Sequence, residues 1–303
     1  MSAFLPNKTY IDIAKVEGDA IYQSYMLGSR EEPTNIVSAK YCPFSPRTCQ
    51  YWPFESIHTQ SPLAPILKTL VTAAESALGT TINSAAVSAY DIGTFDYKLA
   101  KDDVHIALSD LGIDSYDHLD HVVRQLAPAL GIHGNCSEPY TLPDDPSYHH
   151  DPEQIVLAIE YARDSLTVGL WKEECGVMEM TNRLNSAELG HNAMQTCRQT
   201  AENSTTCEES LKSALRSVCT DSSSEENEEI DAVLVVGECA SDEDMLIALR
   251  QVLEEQFPNG DPIDLSLVRA FSPDPTFAGS RAMARAVWEA HAYEHKGSRR
   301  EEL

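Results

Sequence analysis

Residues 232–237, Ala-Val-Leu-Val-Val-Gly, constrain the fold of this chain more than any other stretch. Five apolar residues without polar alternation read as a short strand buried on both faces. Such a strand needs a layer of other structure on each side, which points to an α/β fold. Gly237 permits the sharp turn that ends the strand. Ser241 or Asp242 can cap a following helix, and Asp242, Glu243 and Asp244 suit its positive first turn. Met245, Leu246, Leu249, Val252 and Leu253 then recur at helical spacing. Ligands of α/β proteins gather at the carboxyl ends of such strands, which makes Gly237, Glu238, Cys239 and Ser241 candidate ligand-binding residues.

A chain of 303 residues can form two lobes, each with a core of its own. Its net charge of −26 opposes partners that are themselves polyanions, so neither nucleic acid nor an anionic membrane surface is expected as a partner. No apolar run is long enough to span a bilayer. The opening residues, Met-Ser-Ala-Phe-Leu-Pro-Asn-Lys, have no apolar signal core, and the eight cysteines are irregularly spaced. Together these predict reduced thiols and a cytoplasmic location.

Along the chain, strands are expected at Thr9–Ile13 and Ala20–Met26, joined through Val16–Asp19. A Cys- and Pro-containing loop follows at 40–54. A zinc role for Cys42 and Cys49 is disfavoured by the long gap between them and the lack of a second ligand pair. Leu63–Leu78 reads as a helix with Ile66, Leu67, Leu70, Val71 and Ala74 on its apolar face, ended by Gly79. Ile82–Tyr90 is strand-like, and a helix is expected from about Asp96 to Leu111. Residues 114–126 read as a helix carrying Asp117, His118, Asp120 and His121, where the two histidines are more simply solvated than metal-bound. No metal site and no cofactor are expected.

The Pro- and Asp-rich connection from Pro143 to Pro152, with His149, His150 and Asp151, reads as the boundary between an amino-terminal lobe, 1–145, and a carboxyl-terminal lobe, 146–303. Strands follow at Ile155–Ile159, Ser165–Trp171 and Gly176–Met180, then partly helical sequence over 183–219. Residues 220–231 hold six acids, no base and three consecutive serines, the composition of a solvated loop. A last strand is expected at Asp264–Val268 and a last helix at Pro275–Tyr293, with a frayed tail from His295.

This order resembles the ATPase domain of the seventy-kilodalton heat-shock chaperones, within the actin-like superfamily. Ala74-Glu-Ser-Ala-Leu-Gly-Thr-Thr-Ile-Asn-Ser-Ala-Ala-Val-Ser-Ala-Tyr90 is similar to the segment leading into that family's Val-Pro-Ala-Tyr strand. Ile155–Val177 resembles the region of its second phosphate loop, Asp231–Leu253 its adenosine motif, and Asp274–Trp288 its closing helix, with Ala278-Gly-Ser-Arg-Ala for Ala-x-Gly-Ala-Ala. The resemblance implies two ribonuclease-H-like lobes around a central cleft, with a reduced insertion over about 181–230.

The departures bear on chemistry. Asp12 matches the aspartate of the family's first phosphate loop, but Ala14, Lys15 and Val16 replace Gly-Thr-Thr. Glu160-Tyr-Ala-Arg-Asp-Ser165 stands where the family has Asp-Leu-Gly-Gly-Gly-Thr, so the glycines that bring backbone amides close to phosphate are gone. Asp164 adds a carboxylate there, and Ser241 replaces the adenine-stacking arginine. Asp91-Ile-Gly-Thr, though it looks like a phosphate loop, follows the wrong strand in this alignment. A carboxylate about 4 Å from a phosphate charge opposes binding by several kcal/mol at a protein surface, and each lost charged hydrogen bond removes roughly 1.5–3 kcal/mol.

Two functions are consistent with this. One is a degenerate ATPase fold that serves as a binding or interaction module. The other is an enzyme, a cyclase or isomerase of a biosynthetic pathway, that reuses the cleft for a small molecule. The second would use Glu160, Asp164 or Asp12 as acid or base, with Tyr90 or Cys239 nearby and Lys15, Arg163 and Ser165 among the cleft residues. The plainer role for each carboxylate is a cap or a salt bridge. The occupant of the cleft is an unidentified small molecule or protein in either case.

Overall fold

The structure, a computed structural model, describes residues 1–18, 61, 63–89, 97–115, 120–136, 149–200, 205–219, 229–258, 265 and 267–298. The expected strand at Ala20–Met26, the loop with Cys42 and Cys49, Tyr90, the Asp91-Ile-Gly-Thr turn, His118, the 145/146 boundary and residues 220–228 lie outside them. The chain divides into two compact units, Met1–His121 with Met283–Leu303, and Val122–Ala282. Both contain helices and strands, so the α/β expectation holds at that level.

In the first unit β1 (Ser2–Phe4) pairs antiparallel with β2 (Tyr10–Asp12), and the Ser2 hydroxyl donates to Asp12 Oδ1 at 2.9 Å. Phe4 stacks edge-on against Trp288, their centroids 5.3 Å apart. Helix α1 (Ala64–Leu78) ends as expected at Gly79, whose left-handed backbone lets its amide donate to the Glu75 carbonyl. Leu67 and Val71 of α1 pack with Val104, Ala107 and Leu108 of α2 (Tyr97–Asp110).

The strand-like 82–90 segment is two short pieces, β3 (Ser84–Ala85) and β4 (Ser88–Ala89). They pair in parallel with β5 (Asp114–Ser115) and β6 (Asp120–His121). This corrects the helix expected over 114–126, which begins only with α3 (Val122–Ala129). Asp114 and His121 are held by cross-strand pairing instead.

The second unit is built on a four-stranded sheet, β7 (Gln154–Tyr161), β8 (Leu166–Glu174), β9 (Val177–Ser186) and β10 (Ala232–Val236), in the order β10-β7-β8-β9. Strands β7, β8 and β9 form an antiparallel meander, while β10 joins the far side of β7 in parallel. Between β9 and β10 the chain forms α4 (His191–Thr200) and α5 (Thr205–Cys219). The 76-residue separation of Val156 and Ala232 is thus closed by a helical crossover, as a parallel neighbour requires. Helix α6 (Glu243–Gln256) begins at Asp242, whose Oδ1 accepts from the Met245 amide at 2.8 Å.

Odd-numbered β7 residues Leu157, Ile159 and Tyr161 bury against Leu211 and Leu215 of α5 and Met245 and Leu249 of α6. All of β10 is buried, as its unbroken apolar run predicts. The expected final strand is corrected: Leu267–Phe271 is a short helix, α7, and with the turn Pro275–Phe277 it lies beside β10. Arg281 fixes that region by donating to the Phe271 carbonyl at 2.9 Å. The last helix, α8 (Ala278–Ser298), runs past His295, where a frayed tail was expected.

The reduced-thiol expectation is also corrected. Cys136 is bonded to Cys175, and Cys197 to Cys207, whereas Cys219 and Cys239 are not in disulfides. Irregular spacing along the sequence conceals these pairs because folding, not spacing, sets them: the turn after β8 meets the segment before β7, and α4 meets α5. Burial pushes the Cys219 thiol up to about 12, so it stays protonated. In unreduced native protein, iodoacetamide is expected to label Cys239 faster than Cys219. Unfolding exposes Cys219, and only reduction exposes the four bonded cysteines; peptide mapping that finds Cys175 or Cys197 alkylated without reductant would show the pairing to be wrong.

Gly237 is the position where backbone, not side chain, decides. Its φ is +100°, and a Cβ there would lie 2.6 Å from the Tyr161 carbonyl oxygen, inside any real contact. Gly176, at φ +82°, has open space around it. Gly176→Ala is expected to cost about 1–2 kcal/mol from backbone strain alone, and Gly237→Ala roughly 2–4 kcal/mol because strain and overpacking add. Urea unfolding of the two variants checks the order; equal losses would contradict the close approach.

Candidate functional site

The candidate residues of the second unit converge at one end of its sheet. Glu160 lies opposite Val236 in the β7–β10 ladder, so the loop 161–165 and the loop 237–241 leave adjacent strand ends. The Cys239 amide donates to the Tyr161 carbonyl at 3.0 Å, which draws the two loops into contact. Glu238 then reaches across. Its Oε1 accepts from the Arg163 amide at 3.2 Å, and its Oε2 pairs with Arg163 Nε at 3.3 Å. Gly237, Glu238, Cys239, Arg163, Asp164 and Ser165 are therefore neighbours, and Ser241 follows in the same loop.

Residues 190–192 complete the arrangement and were not foreseen. The His191 amide donates to the Ala162 carbonyl at 3.0 Å, and the Asn192 amide to the Arg163 carbonyl at 2.9 Å. Asn192 Nδ2 adds a bond to Asp164 Oδ1 at 3.3 Å. A Cβ at Gly190 would stand 2.3 Å from the Ser165 amide nitrogen, so the two backbones touch. The first amides of a helix normally serve as an anion site. Here α4 directs them at the loop's own carbonyls, and the Arg163 amide is directed at the Glu238 carboxylate. A phosphate in this loop would have to displace a carboxylate and break two backbone bonds. The sequence signal for this contact was slight: Gly-His-Asn at a helix start.

Beneath the loop sits Tyr161, fully buried, its ring edge-on to that of His191 with centroids 5.9 Å apart. His191 Nδ1 is 3.2 Å from Asp242 Oδ2, within ion-pair range but not aligned as a hydrogen bond. The Tyr161 hydroxyl is buried and has no hydrogen-bond partner among the described residues. Burial, reinforced by the nearby Asp242 carboxylate, pushes its ionisation far above the ordinary phenol range. The remaining candidates belong elsewhere: Asp12 and Lys15 lie in the first unit, where Asp12 accepts from Ser2, and Tyr90 is outside the described residues.

An open groove in the second unit runs along α5, lined by Leu184, Thr205, Thr206, Glu209, Ser210 and Ser217. It shares no residue with the candidate set. No helix among the described residues is long and apolar enough to cross a membrane. The chain matches no known family model and no curated protein.

Tyr161→Phe is expected to leave stability unchanged or raise it by about 1 kcal/mol, because an unpaired buried hydroxyl is removed. The sign of its pH dependence follows from the raised pKa. The unfolded chain ionises this phenol near pH 10 and the folded one does not, so the wild type loses stability as pH rises past about 10. The variant should lose less. A variant less stable than wild type at pH 7 would mean that the hydroxyl has a partner.

Proposed function

We propose that this chain is a degenerate relative of the heat-shock-chaperone ATPase domain, within the actin-like superfamily, that has lost ATPase chemistry and acts as a binding or interaction module. One observation carries the reading: the loop aligned with the second phosphate loop is filled from within. Glu238 occupies its amide and its cation, Arg163, and α4 occupies its carbonyls. The topology of the second unit supports the kinship, since an antiparallel meander with a fourth strand parallel to the first is the core of a ribonuclease-H-like lobe. The first unit supports it less, its described sheets having two strands each.

The enzyme reading draws less support. It needs an enclosed pocket with converging polar groups, whereas Arg163 and Glu238 form a surface ion pair and the α5 groove is open. The two disulfides favour an oxidising compartment, because the cytoplasmic expectation rested on reduced thiols.

Calorimetry with ATP and with ADP at millimolar magnesium is expected to give no heat of binding, and a phosphate-release assay no turnover. Magnesium binding alone, through Asp12 or Glu160, is compatible with this outcome. A low-micromolar dissociation constant, or turnover that Asp12→Ala abolishes, would overturn the reading. A thermal shift with another small molecule, without one for ATP, would move the balance to the enzyme.

A further inference from the structure

At the opposite end of the sheet from the Glu238 loop, a second cluster brings together groups with metal-ligating chemistry. We propose that the reduced chain binds one zinc ion through Cys136, His150 and Cys175, with Glu174 as the fourth ligand, and that this site and the Cys136–Cys175 disulfide exclude each other.

The geometry comes from three short segments. Cys136 and His150 face each other across an isolated antiparallel bridge. Cys175 and Gly176 form the two-residue turn between β8 and β9, both with positive φ, at +54° and +82°. Asparagine or glycine is the usual choice at the first of these positions; a cysteine there holds its sulfur at the tip of a fixed turn. The ligating atoms of Cys136, His150 and Cys175 all lie within 4.8 Å of one another.

Two of the pairwise distances already fit a tetrahedral ion, and the two sulfurs, bonded in the oxidised chain, must part to roughly 3.8 Å on reduction. Zinc bonds of about 2.3 Å to sulfur and about 2.0–2.1 Å to imidazole nitrogen and carboxylate oxygen imply a sulfur–nitrogen edge of roughly 3.5 Å and a nitrogen–oxygen edge of roughly 3.4 Å. His150 Nε2 lies 3.5 Å from Cys175 Sγ and 3.4 Å from Glu174 Oε1. The imidazole is also turned the right way: its Nδ1 is 2.9 Å from the Asp151 carbonyl, an acceptor that takes the Nδ1 proton, which leaves Nε2 facing the cysteine and the glutamate as the nitrogen that would ligate.

The cluster does not depend on the disulfide for its assembly. Glu173, only 1% exposed, accepts from the Gly134 amide at 2.9 Å and the Gly176 amide at 2.7 Å through the same oxygen. Asn135 donates its amide to Asp151 Oδ2 at 2.6 Å. These bonds hold the Cys136, His150 and Cys175 segments together after reduction. A dithiol reductant supplies two electrons and two protons, itself becoming a disulfide, and leaves two thiols on this chain. Zinc then displaces both protons to solvent and binds the thiolates. An oxidised pair has no thiolate to offer.

The test uses the full chain, reduced with a phosphine and desalted without oxygen, then titrated with Co²⁺ as a spectroscopic probe and with Zn²⁺ against a chromophoric chelator. One ion per chain is expected, with the thiolate-to-cobalt absorption band, and protein kept oxidised should show neither. His150→Ala and Glu174→Ala, both surface changes, should weaken zinc by at least about tenfold. The double variant Cys197→Ser with Cys207→Ser should bind as the wild type does. Equal zinc affinity in oxidised and reduced protein, affinity unmoved by His150→Ala, or loss of binding in the Cys197/Cys207 variant would each overturn the proposal.

Discussion

The parallel pairing of β10 with β7 is the contact on which the second unit depends. It joins segments some 76 residues apart in sequence, so its loop entropy must be met by burial and close fit. At the start of the ladder Asp231 grips Ile155 twice, its amide donating to the Ile155 carbonyl at 2.9 Å and its carboxylate accepting from the Ile155 amide at 2.7 Å. At the far end, Gly237 lies so near the Tyr161 carbonyl that no side chain fits. Between those ends five consecutive buried residues leave no polar group to hydrate. The pairing thus positions everything at the carboxyl ends of both strands.

Closure of the candidate site follows from that pairing. Once the loop after β10 rests on Tyr161, Glu238 has one direction in which to satisfy its charge, toward the amide and side chain of Arg163. The pair is about half exposed on the arginine side, so its own contribution to stability is small. Its effect on ligand choice is larger, because a negative charge already occupies the position an anion would take. The helix α4 acts in the same sense: its macrodipole and first amides are directed at carbonyl oxygens of the loop rather than at solvent. A few local contacts thus decide what this loop can accept, without any change in the core beneath it.

What was legible in the sequence was what local physics decides. The apolar run at 232–236, the Asp242 cap, the Gly79 stop and the three strands of the meander each carry their cause within a few residues. Segments whose state is decided elsewhere were not. Asp114, Ser115, Asp120 and His121 lie in a stretch with helical spacing, yet cross-strand pairing with Ser84, Ser88 and their neighbours claims them. A strand is expected over Asp264–Val268, yet Leu267 and Val268 open a short helix, Leu267–Phe271, beside β10. In the site, Arg163, Asp164, Ser165 and Gly237–Ser241 could be placed by alignment with strand ends, whereas Gly190, His191 and Asn192 could not, since Gly-His-Asn marks at most a helix start and not the loop it touches.

The two ends of the sheet are closed by different chemistry, and this decides which end can respond to its surroundings. At the Tyr161 end the closure is mainly backbone: a glycine contact, an amide on a carbonyl, and helix amides on a loop. Such contacts are insensitive to redox state, and the buried phenol among them stays protonated through the physiological range. At the Gln154 end the segments are held by a disulfide, an imidazole and carboxylates, groups that exchange electrons, protons or ions with solvent. The Glu173 clasp on Gly134 and Gly176 keeps those groups adjacent whichever covalent state they are in. With the Tyr161 end sealed by backbone, the unit can change state at the other end, where the residues gathered are those that reduction and a divalent cation act on.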